Sequence, residues 1–379
     1  MDLVAGRVYT ERQRPIRHID GMLLVITVLL VMTGLILLYS ATASTLRGMH
    51  VDEFARVKKQ AATAILGAIL LLLIFTFDYR FFKVYAGFIY AGMLILLVLV
   101  RIPGIGSTSA GAQRWFDVAG FQISPSEIAK IALMFMLAAM LSELPSLPDL
   151  RDVLRVCLAG AVPTALVFIQ PDIGTTIVLV TVIVGMLVVA GTRPRHLALL
   201  AATSIVLIVL AFQLNVVKSY QLDRLKAFLD PAFGSQTTNY NRQQALIAVS
   251  SGGVLGRGYM HGTQTQLDFV PEQHTDFIFT VAGEEFGFLG TVVVLTLYAL
   301  LIWRAIRTAS MSKDPFGTYV AAGIAAMFAI QMFVNIGMVI GIMPITGIPL
   351  PFMSYGGSSM LSSFAAIGIL ENIHMRRFK

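Results

Sequence analysis

Long apolar runs limit this chain more than any other feature. Residues 20–41 read DGMLLVITVLLVMTGLILLYSA, reaching the roughly 20 residues a helix needs to cross a bilayer. The run is too long for the apolar part of a signal peptide and lacks a convincing small-residue cleavage site, so it reads as a retained helix. Further apolar segments fall at about 61–77, 82–100, 127–142, 153–169, 173–190, 197–213, 277–303, 317–341 and 356–373. Backbone in lipid must satisfy its own hydrogen bonds, so each is expected as a helix. Composition agrees, with 56% hydrophobic and 13% charged residues in 379, against about 25% charged in a soluble chain. The expected fold class is all-α: a polytopic membrane protein of about ten transmembrane helices, forming one integral membrane domain over 1–379.

The net charge of +7 needs no nucleic acid to explain it. Arg7, Arg12, Arg14 and Arg17 precede the first segment. Arg80 and Lys83, Arg151, Arg193 and Arg195, then Arg304, Arg307 and Lys313 follow the even-numbered ones, and Arg376, Arg377 and Lys379 end the chain. Ten spans would put all of these on one side, which the excess of basic residues makes cytoplasmic, with both termini. The opposite, outer connections are 101–126, 170–172, 214–276 and 342–355. They hold the polar and Pro/Gly-rich segments, and the largest is an extracytoplasmic loop between spans seven and eight. Connections that long are uncommon unless functional or disordered. The lone Cys157 allows no disulfide within the chain, and no Cys/His spacing suggests zinc.

The richest segment is TQTQLDFVPEQHTDFIFTVAGEEFG at 263–287. Asp276 sits where the long loop becomes the eighth span. There it serves as a helix cap, or as a general base held ionised by the helix terminus; the two are compatible. Glu284 and Glu285 lie deeper, where carboxylates are costly and face a polar cavity or a cation. His274 orders the loop or joins the site. Asp268 and Glu272 are either metal-assisting or merely solvated.

The second segment is GAQRWFDVAGFQISPSEIAK at 111–130. Trp115 suits the membrane interface or the face of a sugar ring, and Arg114 suits a phosphate. Ser124-Pro125-Ser126-Glu127 opens a helix. Glu127 and Lys130 pair along one face, or Lys130 lies in a cavity and counters a diphosphate. Asp172 in the turn QPDIGT is ordinary turn chemistry or a second carboxylate of the site. MPITGIPLPFMSYGGSS at 343–359 cannot face lipid. Its Gly356-Gly357-Ser358-Ser359 opens the last helix, whose N–H groups suit an anion. Arg224 and Lys226 stand in the long loop. The run with Gly252, Gly253, Gly256 and Gly258 reads as a partly embedded helix followed by a tight turn. Its Gly-Arg-Gly lacks the ending of a P-loop.

Taken in order, GAQRWFDVAGF with PSEIAK, QPDIGT, FLDP, SSGG with GTQ, PEQHTDFIF with GEEFG, and MPITGIPLPFMSYGGSS resemble the SEDS family (shape, elongation, division and sporulation) over nearly the whole chain. GTQTQLDFVPE and GIPLPFMSYGG are most similar to its elongation branch. Ser124 departs from the Gln that many relatives carry before Pro-Ser-Glu. The resemblance implies a peptidoglycan glycosyltransferase acting on lipid II, an undecaprenyl-diphosphate-linked disaccharide pentapeptide. It implies a class B penicillin-binding protein transpeptidase as partner, beside membrane lipid. The family's essential carboxylate maps onto Asp276, and Arg114, Trp115, Glu127 and Lys130 match sensitive positions. Asp172, His274, Glu285 and Ser358 complete the expected substrate-binding set. Arg114 and Lys130 are expected to meet leaving-group charge, with Mg2+ or Mn2+ as the candidate metal and no organic cofactor. A lipid flippase and a non-catalytic scaffold are the rival readings; the first would favour internal repeats and broken mid-membrane helices.

Overall fold

The computed structural model describes residues 18–109, 112–118, 121–145, 147–213, 228 and 236–377. Arg7, Arg12, Arg14, Arg17, Arg224, Lys226, Lys379 and the FLDP stretch except Phe228 lie outside the described residues.

Helices overlap all ten expected apolar segments. They are α1 (Gly21–Gly48), α2 (Ala55–Thr76), the short α3 (Arg80–Val84) leading into α4 (Ala86–Leu99), α5 (Pro125–Leu141), α6 (Leu150–Ile169), α7 (Ile173–Val189) and α8 (Pro194–Gln213). After these come α9 (Gln236–Ser251), the single turn α10 (Thr263–Gln266), α11 (Ile278–Met311), α12 (Pro315–Val339) and α13 (Gly357–Met375). Among the described residues, α1, α2, α6, α11 and α12 are long and apolar enough to cross a membrane, and α4 and α7 are shorter apolar helices. Their outward faces carry exposed Val28, Leu72, Phe88, Leu158 and Phe288, surface that lipid accepts and water does not.

Local chemistry sets the helix starts. Asp20, Asp172 and Asp314 cap α1, α7 and α12 by accepting from Leu23, Thr175 and Gly317 N–H groups, satisfying donors that a helix start leaves over. Pro125 opens α5 and Pro315 opens α12, where a missing N–H costs nothing. The all-α expectation missed one small element. The connection before α5 forms an antiparallel sheet of β1 (Ser107–Ser109), β2 (Ala112–Val118) and β3 (Phe121–Ile123), with Ser107 opposite Trp115 and Phe116 opposite Ile123.

α11 breaks at Gly287, whose φ of 62° and ψ of −156° are not helical. The sequence reading placed no broken helix here. Four backbone hydrogen bonds tie the break to the loop after α9. Arg257 and Gly258 N–H groups donate to the Glu284 and Glu285 carbonyls at 3.0 Å each, and Phe288 and Leu289 N–H groups donate to Gly253 and Val254 at 2.9 and 3.1 Å. A Cβ on Gly287 would stand 2.3 Å from the Gly256 nitrogen, so only glycine fits. The break is a closed backbone seam, which differs from the open half-helix ends that bind ions in transporters.

Long-range polar contacts define two ends of the bundle. At one, Arg304 of α11 pairs with Asp20, whose N–H donates to Glu371 of α13 at 2.9 Å. Asn372 accepts from Tyr79 N–H at 3.2 Å, Tyr79 donates to Asp314, and Arg376 pairs with Asp78 at 3.4 Å. The other end gathers the starts of α2, α5, α7, α11 and α13.

Candidate active site

Three helix starts meet at the second end. The Ser124 N–H, just before α5, donates to Ser358 Oγ at 2.9 Å, and that hydroxyl donates to Gln122 C=O at 2.8 Å. Ser124 Oγ lies 2.8 Å from Ser126 Oγ, and Ser126 donates to Asp172 Oδ2 at 3.3 Å. Asp172 also accepts from Thr175 N–H at 3.0 Å and Thr175 Oγ1 at 2.9 Å. Arg114 Nη1 stands 3.9 Å from the same carboxylate, and its guanidinium lies 5.9 Å from the Trp115 ring centre. Among the described residues the buried Arg114 Nε has no hydrogen-bond partner.

Lys130 and Glu127 pair at 2.7 Å on one face of α5, and Ser362 of α13 donates to Glu127 Oε2 at 2.5 Å. Lys130 is 1% exposed. The residues therefore do pair along the helix, inside the protein and one turn along α5 from Ser126. Lys130 offers no free charge at the surface.

Asp276 belongs to the turn before α11, whose cap position is Phe277 with no side-chain cap bond; the helix starts one residue later than a capping role for Asp276 requires. Its backbone is held from α12. Asn335, fully buried, donates through one amide to the carbonyls of Asp276 at 2.9 Å and Ile348 at 2.7 Å. This fixes the turn against the Pro/Gly-rich segment. Gly347 lies over the carboxylate: with φ of 73°, a Cβ there would sit 3.2 Å from Asp276 Oδ2. On the other flank, a Cβ on Gly174 of α7 would meet Ile348 at 2.7 Å and the Thr346 carbonyl at 3.2 Å. The 346–348 segment thus lies between Asp276 and the start of α7 that Asp172 caps.

His274 C=O accepts from Tyr355 N–H at 2.9 Å, and the two rings lie 5.7 Å apart. Burial, and then the charge of Arg56, holds the His274 imidazole below its ordinary pKa, so it is neutral near pH 7. Gln60 of α2 completes the frame, donating to Ser354 C=O at 3.0 Å and accepting from Gly356 N–H at 3.2 Å.

Glu285 is the expected site residue that the structure places elsewhere. It lies over two helical turns below Asp276, accepts from Ser40 of α1, and Gln266 of α10 reaches the same Ser40 at 3.2 Å. Glu284 accepts from Gln264 N–H at 2.8 Å and from Thr265 N–H and Oγ1 at 2.9 and 2.8 Å. These carboxylates clasp the loop before α11 instead of lining the Asp276 cluster. Sequence reasoning missed Asn335, Gln60, Ser126 and Ser362. A polar residue inside an apolar run is costly, a signal that marks Asn335 in the 317–341 segment; nothing local marks the others. Among the described residues no group of three or more His, Cys, Asp or Glu gathers to hold a metal ion.

Comparison with known proteins matches this architecture. The family model for the FtsW, RodA and SpoVE type of cell cycle protein matches residues 21–379. A probable peptidoglycan glycosyltransferase FtsW of Geobacter metallireducens is 36% identical, covering 96% of each chain. The peptidoglycan glycosyltransferase MrdB of Escherichia coli K12 is 34% identical, covering 95% of this chain and 94% of its own. Among solved structures, a chain described under "structural coordination of polymerization and crosslinking by a peptidoglycan synthase complex" superposes with a TM-score of 0.81 at 29% identity, covering 95% of this chain and 99% of its own. The rod shape determining protein RodA of Thermus thermophilus gives 0.71 at 28%, covering 95% and 98%. With the helical bundle, these matches show that the chain belongs to the FtsW/RodA/SpoVE (SEDS) family and is a multi-pass glycosyltransferase of the cytoplasmic membrane.

Proposed function

We propose that this protein polymerises lipid II into glycan strands on the outer face of the membrane during cell elongation, with Asp276 as general base. The observation that carries the reading is the meeting of the Asp276 turn, the 346–348 segment and the capped start of α7 at one end of the bundle. Helix starts there add partial positive charge, and Arg114 adds a full one.

In the reaction, the 4-hydroxyl of one lipid-linked disaccharide attacks the anomeric carbon of another. Asp276 takes the hydroxyl proton as the new C–O bond forms, and the lipid diphosphate departs with the electron pair of the bond it breaks. Attack opposite the leaving group turns the α-linked donor into a β-1,4 product. One base and a good leaving group suffice, unlike paired-carboxylate hydrolysis. Arg114 meets the diphosphate charge; groups aimed at developing charge are usually the largest catalytic contribution. Glu127, Lys130 and Ser362 hold the start of α5 against α13. His274 and Ser358 order the loops they join, and Trp115 offers a face to the sugar.

Sidedness is argued from charge. Arg80, Arg304, Arg307, Arg376 and Arg377 sit with or beside the network at the opposite end, which favours that end as cytoplasmic. The elongation role rests on GTQTQLDFVPE and GIPLPFMSYGG and on the likeness to RodA. A class B penicillin-binding protein is the proposed partner, in keeping with a relative solved in a peptidoglycan synthase complex.

The test gives purified protein and its partner labelled lipid II. Polymer formation supports the proposal. Movement of the lipid across liposomes without polymer would replace it with a flippase, and neither activity would replace it with a scaffold.

A further inference from the structure

We infer that Arg56, with His274 and Tyr355, forms a second diphosphate-binding subsite, distinct from the one at Arg114, so that Asp276 works between two bound diphosphates. This inference rests on the polymerase reading for the identity of the anion.

The placement comes from α2. Gln60 is bonded to both Ser354 and Gly356, so this face of α2 lies against the 354–356 turn. Arg56 stands four residues earlier, on the same face. Tyr355, between the two residues that Gln60 holds, is bonded to the His274 backbone and has its ring beside the His274 ring. Arg56 therefore looks onto a wall made by an imidazole and a phenol, two residues from the proposed base.

Two neighbouring basic residues are paired with acids. Lys58 pairs with Asp52 at 2.7 Å and Arg47 with Glu53 at 2.8 Å. Arg56 is half-buried and makes no hydrogen bond or ion pair among the described residues. Its charge is felt instead by His274 and Tyr355, neither of which is an anion. Glu272 and Asp268 also act on the His274 imidazole, but neither pairs with Arg56 among the described residues; a guanidinium facing two further N–H and O–H donors is arranged for an anion with several oxygens. Phosphate oxygens suit the guanidinium fork.

The reaction needs such a place. Joining two lipid-linked saccharides brings two diphosphates to one base. Arg114 is a single guanidinium that already shares Asp172. It lies on the α7 side of the 346–348 segment, whereas Arg56 lies on the α2 side.

The experiment uses the full chain in detergent and two probes: undecaprenyl diphosphate for binding, and lipid II for kinetics. Arg56→Gln is expected to weaken undecaprenyl diphosphate binding and to raise the lipid II KM about tenfold, the worth of one charge-assisted contact, with kcat changed less. Arg56→Lys should recover part of the loss, because it keeps charge without the fork. If Arg56→Gln does not fold, Arg56→Lys is read alone and must show the smaller weakening. Lys58→Ala should match wild type. A folded Arg56→Gln with unchanged binding and KM would overturn the subsite, as would a fall in melting temperature with no change in binding. If wild type makes no polymer yet binds undecaprenyl diphosphate through Arg56, the subsite stands and the polymerase reading fails.

Discussion

The two ends of this helical bundle use charge differently. At the cytoplasmic end proposed above, Arg304 pairs with Asp20 across 284 residues of sequence, and Tyr79, Asp314 and Asn372 extend the network to α12 and α13. Acid and base there come from different helices, so each pair ties elements together. At the other end, Lys130 and Glu127 pair within one helix, Arg114 stands 3.9 Å from Asp172, and Arg56 makes no ion pair among the described residues. Charge at the first end is spent on assembly. Charge at the second end is kept near helix starts and a carboxylate, where a diphosphate-linked sugar can use it.

Breaking a pair at each end sharpens the contrast. Arg304→Ala leaves Asp20 buried without its cation, and removing one partner of such a pair costs about 3–5 kcal/mol. The expected outcome is a large drop in unfolding temperature in detergent, with polymerisation per folded molecule near wild type. Lys130→Gln should do the reverse. Glu127 keeps its bond from Ser362, so stability should fall less. The start of α5 beside Ser124 and Asp172 should lose its position, with polymer yield down about a hundredfold, the scale of a misplaced catalytic group. Lys130→Arg should lie between that variant and wild type. Matching losses of stability and activity in both variants would erase the distinction.

The smallest effect concerns pH. His274 has its pKa held below the ordinary value by burial and by Arg56, so the unfolded chain takes up the proton first as pH falls. Stability linked to His274 is complete above about pH 6.5, the unfolded value, and declines as pH drops from there toward the folded value. Unfolding temperatures at pH 7.5 and 5.5 should differ more for wild type than for His274→Gln. Equal differences would show that His274 does not titrate as its surroundings require.

Much of this was readable from residue order alone, for a physical reason. Spanning helices are one-dimensional objects, so apolar length fixes them, and Pro125 and Gly357 mark helix starts by local rules. The Gly287 break was not legible, because its partners Gly253, Val254, Arg257 and Gly258 come from a loop whose fold the apolar pattern does not encode. The sheet at 107–123 escaped because its strands are short and alternate weakly. Glu285 was placed with the site because a carboxylate inside a span signals a polar neighbour without saying which one; here it is Ser40. Asn335 reaches Asp276 across 59 residues and ties it to Ile348, a contact that only folding reveals.

The most direct test of the account is polymerisation of labelled lipid II by Asp276→Asn, with folding checked by thermal unfolding. Removing a positioned general base costs about a hundred- to ten-thousandfold. The account predicts a folded protein that still binds undecaprenyl diphosphate and forms essentially no polymer. A folded Asp276→Asn that polymerises at the wild-type rate would contradict it.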